Sequence, residues 1–509
     1  LLEPDGAAEP AFEGLTKGTL RMSFWICRHM AVSLKKRGIR PSALCARARL
    51  CLAAVCLLVV LTGCASVTRQ DRVEQRAAYR TALRDLTSAA LPADGKVGLQ
   101  RCIEIAWANN LELELSRLRR RLRELDKDAA FGYFLPQLEL SASRTGADKP
   151  HEIKAGDGYA SMSDQHITQV AVSLQQGIFL PQAWQVYQMQ KKGLAIEDLL
   201  HQRLRQLIAL QVTAQYHGCL LLSARRPSLA RGIGEAEAVV REARAHRREG
   251  LVTATVVRQA EALLSSRRMA ASTNARALEA AQAKLLSTLG VSPFAEVELQ
   301  PVGAPSAAAV PELRELVAQA LLQRLELHAA DRGVELRRHD IKRALAGFLP
   351  KFGVTGSWSY NSDSFLRYAT TWNYGLIAVM TVFDGFRNVA AYKAAKARRQ
   401  QVFVQREQQC LTIMLEVVAA HRACADARER LQVAQASLRA AEGELGEVRA
   451  FRREGMRVES DVLDVLRRCD RARAQVAMAE LEASLTRAVL HDVTGTGAGT
   501  EPKPKEAEQ

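Results

Sequence analysis

The side chains that usually do chemistry, histidine, cysteine, serine and the carboxylates, stand apart from one another in these 509 residues. They form no nucleophile elbow, no His-Glu-x-x-His pair, no Gly-rich phosphate loop and no paired-acid cluster. The chain therefore reads as a non-enzyme. Five of the ten cysteines lie at or before Cys64. Cys102, Cys219, Cys410, Cys424 and Cys469 show no CxxC or Cys/His ligand spacing. No metal and no cofactor is expected. Cys410 and Cys424, if they share one helix, are about 21 Å apart along its axis, too far for a bridge.

One thiol stands in a different setting. Arg47 and Arg49 precede an apolar run over residues 50–61, too short to cross a bilayer and of the length of an export signal. The run ends in Leu61-Thr62-Gly63-Cys64, which resembles the bacterial lipoprotein signal box, where small residues admit the peptidase and the cysteine sulfur takes a diacylglycerol. The resemblance implies an acylated Cys64 at the bacterial outer membrane, since Ala65 follows and no Asp stands there. Met30 is the expected start, with residues 1–29 an upstream extension. Residues 1–63 are thus signal and extension, and residues 64–96 a lipidated linker expected to be poorly ordered.

The formal charge is +16, and +5 of it comes from nine Lys/Arg against four Asp/Glu before Cys64. The rest is interspersed with acids and lacks the aromatic-basic interleaving of a nucleic-acid surface. It reads as solvated helix, with no nucleic-acid partner.

What must position these parts is a duplication. Residues 110–143 lie without a gap on residues 324–357, and both copies run from Leu-Glu-Leu into a Phe-Leu-Pro corner, at Pro136 and at Pro350. Arg247-Arg-Glu-Gly250 recurs as Arg452-Arg-Glu-Gly455, and Leu289-Gly290 as Thr494-Gly495. Repeat 1 is assigned to residues 97–296 and repeat 2 to residues 311–495, joined by a linker over 297–310 and followed by a tail, 496–509, expected to be disordered.

Each repeat carries the same pattern. Residues 99–132 read as one helix, with Ile103, Ala106, Leu111, Leu115, Leu118 and Leu122 at three-to-four spacing. After Pro136 the period becomes two: Leu138, Leu140 and Ala142 alternate with Glu139, Ser141 and Ser143. A polar loop follows, and Val170, Val172 and Leu174 alternate with Gln169, Ser173 and Gln175. Repeat 1 thus has a strand hairpin over about 137–178 and repeat 2 one over about 351–383. Each strand is long enough to cross a bilayer when tilted. Trp358, Tyr360, Trp372 and Tyr374 cluster at the loop end of theirs, where amphipathic rings favour a membrane interface. Long helices follow, over 184–249 and 386–454, each turning back at a glycine, Gly250 or Gly455. Pro227 should kink or interrupt the first.

Four strands in lipid leave two edges of unpaired backbone groups, each costing several kcal/mol. Closing a barrel takes about eight strands or more, and three chains would supply twelve. The fold class is therefore mainly α with membrane β, built as long helical hairpins plus four transmembrane strands per chain. The competing architecture is a lipid-anchored helical scaffold or adaptor without a pore, which would lack matching strand hairpins in both halves.

The duplicated corner, the strand-to-helix signature Val382-Phe383-Asp384-Gly385-Phe386-Arg387, the two Arg-Glu-Gly reversals and the Cys64 box together make the chain similar to the TolC-type outer-membrane efflux family, in its lipoprotein branch. That resemblance implies a homotrimer with a twelve-strand barrel in outer-membrane lipid. It also implies a periplasmic helical tunnel, and a tip that meets an adaptor bridging to an inner-membrane transporter. Carried over, Gly250, Leu251, Val252 and Thr253, with Gly455, Met456 and Arg457, form the docking tip. Pro181 replaces the Asp384-Gly385 form at the first strand-to-helix corner. Cargo and gate residues are not assigned.

Overall fold

The computed structural model describes residues 69–92, 95–149, 151–155, 157–301, 310–454, 456 and 459–496. Cys64 and the signal segment, most of the 297–310 linker, Gly455, Arg457 and the tail beyond residue 496 lie outside the described residues. The chain divides into two compact units, Leu1–Thr81 and Ala82–Gln509. Helix α1 (Arg69–Ala90) crosses that division; everything below concerns the second unit. The helix corrects the expectation of poor order up to Lys96.

Repeat 1 runs β1 (Lys96–Val97), α2 (Leu99–Asn109), α3 (Leu111–Gly132), β2 (Gln137–Gly146), a ribbon of β3 (Glu152–Ala155) and β4 (Gly158–Ser161), β5 (His166–Phe179), α4 (Pro181–Arg248) and α5 (Ala254–Leu289). After β6 (Glu298–Leu299), repeat 2 runs α6 (Leu313–Gln323), α7 (Leu325–Leu345), β7 (Lys351–Asn361), β8 (Thr370–Val379), α8 (Arg387–Arg453) and α9 (Glu459–Val493). The 68 residues of α4 span roughly 100 Å. Of the two expected effects of Pro227, a kink or an interruption, the interruption does not occur: the helix continues through it. Pro227 and Ser223 are both exposed, so water can take the carbonyl that loses its donor.

The expected helix over 99–132 is two helices. Asn110 sits between them in extended geometry (φ −67°, ψ 124°), and its side-chain oxygen accepts the Glu112 and Leu113 N–H groups at 2.9 and 3.2 Å. Repeat 2 breaks at the equivalent Arg324 with nearly the same angles. Each break docks on the C-terminal end of its repeat's returning helix. Asn110 Nδ2 donates to Thr288 O at 2.8 Å, and Arg324 Nη1 to Val493 O at 3.2 Å.

The packing is duplicated as well. One core gathers Ala106, Leu113, Ile208, Val212, Cys219 and Leu285. The other gathers Ala320, Leu327, Ile413, Val417, Cys424 and Leu490, which are the equivalent residues in order. Helix reversal at this level needs Gly290 (φ +74°), where an added Cβ would lie 2.2 Å from Asn109 O. Gly290→Ala is expected to cost at least about 2 kcal/mol, read as a lowered thermal midpoint by circular dichroism.

Candidate functional site: a two-faced sheet and two helix reversals

Four strands form one antiparallel sheet in the order β2-β5-β7-β8, so the two hairpins join through their inner strands. The pairing register lines up whole rows. Leu140, Val172, Trp358 and Trp372 stand opposite one another across all four strands, as do Leu138, Leu174, Gly356 and Tyr374. The intervening rows are Glu139, Ser173, Ser357, Asn373 and Ser141, Ala171, Ser359, Thr371. Adjacent rows point to opposite faces, so one face is apolar and aromatic and the other is polar. Trp372 and Tyr374 are 78% and 92% exposed, with Trp358 and Tyr360 beside them near the β7–β8 loop. All four expected interface aromatics share the apolar face.

β2 and β8 are the edges, and every residue in both is exposed. β8 ends at Val379, short of the expected Phe383, because its partner β7 begins at Lys351, directly after Pro350. The loop between β2 and β5, expected to be irregular, contains the four-pair ribbon from Glu152↔Ser161 to Ala155↔Gly158.

The corners differ between halves. Pro136 and Pro350 each stand immediately before a strand. Pro181 starts α4, where its preset φ suits a first helical turn, after a β-bulge at Gly177. In the second half Gly385 and Phe386 both take positive φ, +67° and +65°. Asp384 Oδ2 then accepts the Asn388 N–H at 2.9 Å. An aromatic cluster surrounds the first corner: Phe134 lies 6.3 Å from Trp184 and 6.4 Å from Tyr187, and Phe131 lies 5.9 Å from Tyr187. Sequence reasoning missed it, although Phe131/Phe134 and Trp184/Tyr187 are two i, i+3 pairs flanking a strand hairpin.

At the opposite ends of the long helices are the reversals. Gly250 takes φ +74°; its N–H donates to Arg247 O at 3.1 Å and the Leu251 N–H to His246 O at 2.9 Å. This double closure satisfies the last helical carbonyls. In the second reversal the Met456 N–H donates to Phe451 O at 2.9 Å, the counterpart of the Leu251 bond. Leu251 and Met456 follow the turn glycine in both copies and are 67% and 60% exposed. Val252 is half-buried and Thr253 exposed, the latter preceding α5 without a side-chain cap bond. Small side chains bring the hairpin helices together just behind each tip, with Val240, Ala243 and Ala260 in one. Leu445, Val465 and Cys469 do so in the other. Arg268–Glu237 at 2.8 Å recurs as Arg473–Glu442 at 2.9 Å. Asp464 pairs with Arg467 beyond the second tip.

Burial pushes the Cys102 thiol up to about 12 and the Cys219 thiol to about 11, so both pack as apolar groups. Among the described residues, no group of His, Cys, Asp and Glu could hold a metal ion.

Residues 316–496 match the family model described as outer membrane efflux protein. The match falls on the second repeat, which is thus similar to outer membrane efflux proteins. The chain is 25% identical over 356 residues to outer membrane protein OprJ of Pseudomonas aeruginosa, covering 63% of the chain and 68% of OprJ. Its fold is that of the CmeC outer membrane channel of Campylobacter jejuni, with a TM-score of 0.66 at 18% identity over 78% of this chain and 86% of that one. It likewise matches the open-state MtrE outer membrane channel of Neisseria gonorrhoeae, with a TM-score of 0.63 at 20% identity over 79% and 90% of the two chains.

Proposed function

We propose that this chain is one third of an outer-membrane exit duct in a tripartite efflux or type I secretion system. It would conduct substrates passively from a periplasmic adaptor and an inner-membrane pump to the exterior. The observation that carries the reading is a sheet with one apolar and one polar face, left open at both edges. In lipid those edges must be paired. Three copies supply twelve strands, enough to leave a wet lumen lined by the polar rows, with the apolar rows and their tryptophans against lipid.

The helices support the same assembly. Leu111, Leu115, Leu118, Leu122 and Leu125 form a heptad stripe on α3, between 47% and 69% exposed. Val404, Leu411 and Leu415 form another on α8, 55%, 67% and 69% exposed. The α3 stripe leads into edge strand β2, and the α8 stripe follows edge strand β8. A neighbouring copy that pairs its β2 with this β8 therefore brings its α3 stripe to this α8 stripe. Acylation at Cys64 would hold the N-terminus of each copy at the membrane, and the reversals would meet the adaptor. Repeats 97–296 and 311–495 would each contribute one strand hairpin and one helical hairpin.

In a planar bilayer the purified protein is expected to conduct, with a mass in mild detergent of three chains. A monomer without conductance would sink the channel reading. Bulky replacements of Gly250 and Gly455 are expected to abolish export while leaving the trimer intact.

A further inference from the structure

The two reversals share the Arg-Arg-Glu-Gly sequence and differ in charge. From residue 241 to residue 258 the first carries five arginines against two glutamates, while the equivalent stretch, 446 to 463, carries four arginines against four carboxylates. Both outgoing helices end in an Arg-Arg pair, Arg247-Arg248 and Arg452-Arg453, which complements the helix dipole. That pair does not distinguish them. The difference lies around it: Arg241 and Arg258 have Gly446 and Leu463 as counterparts, Arg457 has Val252, and the acids Glu459 and Asp461 have Ala254 and Val256, so the first stretch carries a net +3 and the second none.

In the first reversal the acids lie close to side chains other than Arg241, Arg247 and Arg248. Glu261 holds Arg244 at 2.7 Å, and Glu242 and Glu249 lie 3.6 and 3.9 Å from His246. Arg241, Arg247 and Arg248 are exposed and form no ion pair among the described residues. Arg247 and Arg248 stand four and three residues before Leu251, whose side chain is two-thirds exposed, and Arg241 lies further back on the same helix. Unpaired guanidinium groups near an exposed apolar knob favour a partner that carries carboxylates beside an apolar contact.

We propose that the first reversal is the electrostatic docking point of the assembly and takes the acidic tip of a partner helical hairpin, whereas the second offers mainly the apolar contact of Met456. The inference rests on the reading of the reversals as the adaptor-docking tip. In a trimer, basic and neutral reversals alternate around the ring, so partner hairpins would occupy two unequal classes of seat.

The test uses the full-length trimer in detergent and synthetic coiled-coil hairpins whose tips carry three Glu, or three Gln in the same places. The Glu hairpin is expected to bind about tenfold more tightly, with an affinity that falls as salt rises. Arg247→Glu with Arg248→Glu should remove that advantage, while Arg452→Glu with Arg453→Glu should change it about twofold or less. Trimer mass is checked for each variant. Equal binding of the two hairpins, or equal losses from the two pairs, would overturn the proposal. So would a doubling of the trimer mass that the first pair abolishes, because the patch would then serve a second copy. A photo-crosslinker at Leu251 or Met456 in cells separates the layers. Adducts at both, with no charge preference, remove the electrostatic assignment and leave the docking tip standing; adducts at neither remove the docking tip itself.

Discussion

Arg203→Met should destabilise this protein by about 3–5 kcal/mol, a cost typical of leaving a buried charge without its partner. Arg203 is 6% exposed on α4 in repeat 1, and all its charged partners belong to repeat 2. It donates to both carboxylate oxygens of Asp492, at 2.7 and 3.0 Å, and to Glu326. Glu326 is also held by Arg324, which is 4% exposed and reaches Glu416 at 2.8 Å. Five charges thus tie the first long helix to the α6–α7 break and to the end of α9. Removing the guanidinium leaves Asp492 buried at 5% exposure with no cation beside it. Urea unfolding followed by helical circular dichroism measures the loss. Adding Asp492→Leu to Arg203→Met should recover more than half of it, because an apolar pair of similar volume needs no desolvation compensation. No recovery would mean that Arg203 acts by shape alone.

The same cluster gives a pH signature. Burial by itself would push the Glu326 carboxyl up, but Arg203 and then Arg324 outweigh it and hold its pKa below the ordinary carboxylate value. The folded value is depressed, so the stabilisation is complete above the unfolded value near 4.3 and fades as pH falls through the folded one. Wild-type stability should be level from neutrality to about pH 5 and drop below about pH 4. In Arg203→Met that drop should be shallower, since the largest stabilising partner of the carboxylate is gone. An unchanged acid limb would show that Arg203 does not set the Glu326 titration.

This cluster also marks where sequence reading stops. The duplication was legible because its repeats preserve local signals: a Phe-Leu-Pro corner, period-two strands and a glycine that closes each reversal. Those signals depend on neighbours in sequence, and the four long strands follow them apart from the early end of β8 at Val379. The helix breaks at Asn110 and Arg324 were not legible as a pair, because the two copies make the same bend with different chemistry. Asn110 caps its own helix, whereas Arg324 is held by partners as distant as Glu416 and Val493. Arg203 has Gln408 as its counterpart, and Asp492 has Ser287. The network therefore exists in one copy of the repeat only, and no internal comparison could suggest it. The ribbon over 152–161 carried a signal in Gly156-Asp157-Gly158, but its strands are only four residues long and the polar composition reads equally as loop. The apolar spacing along α2 and α3 was visible, yet only the structure shows which part is core. Ile103 and Ala106 are buried, while the stripe from Leu111 onward faces outward.

That outward stripe carries the second large effect. Leu115→Glu combined with Leu118→Glu should abolish the trimer and leave the fold of the single chain. Both leucines are more than half exposed in one chain, at 54% and 53%, so neither contributes much to its own core. At a seam with a neighbouring α8 each would bury most of a leucine side chain, about 1.5–3 kcal/mol apiece, and the replacement would put two carboxylates in that seam. Every copy supplies one such seam in a closed ring, so the losses recur at each interface and the ring has no undamaged joint. The expected readings are a single-chain mass in mild detergent, helical content close to wild type, and no bilayer conductance. Edge strands β2 and β8 would then be unpaired, and the variant should aggregate when detergent is withdrawn. A trimer that survives Leu115→Glu with Leu118→Glu would place the subunit contact elsewhere and remove the pairing of α3 with α8.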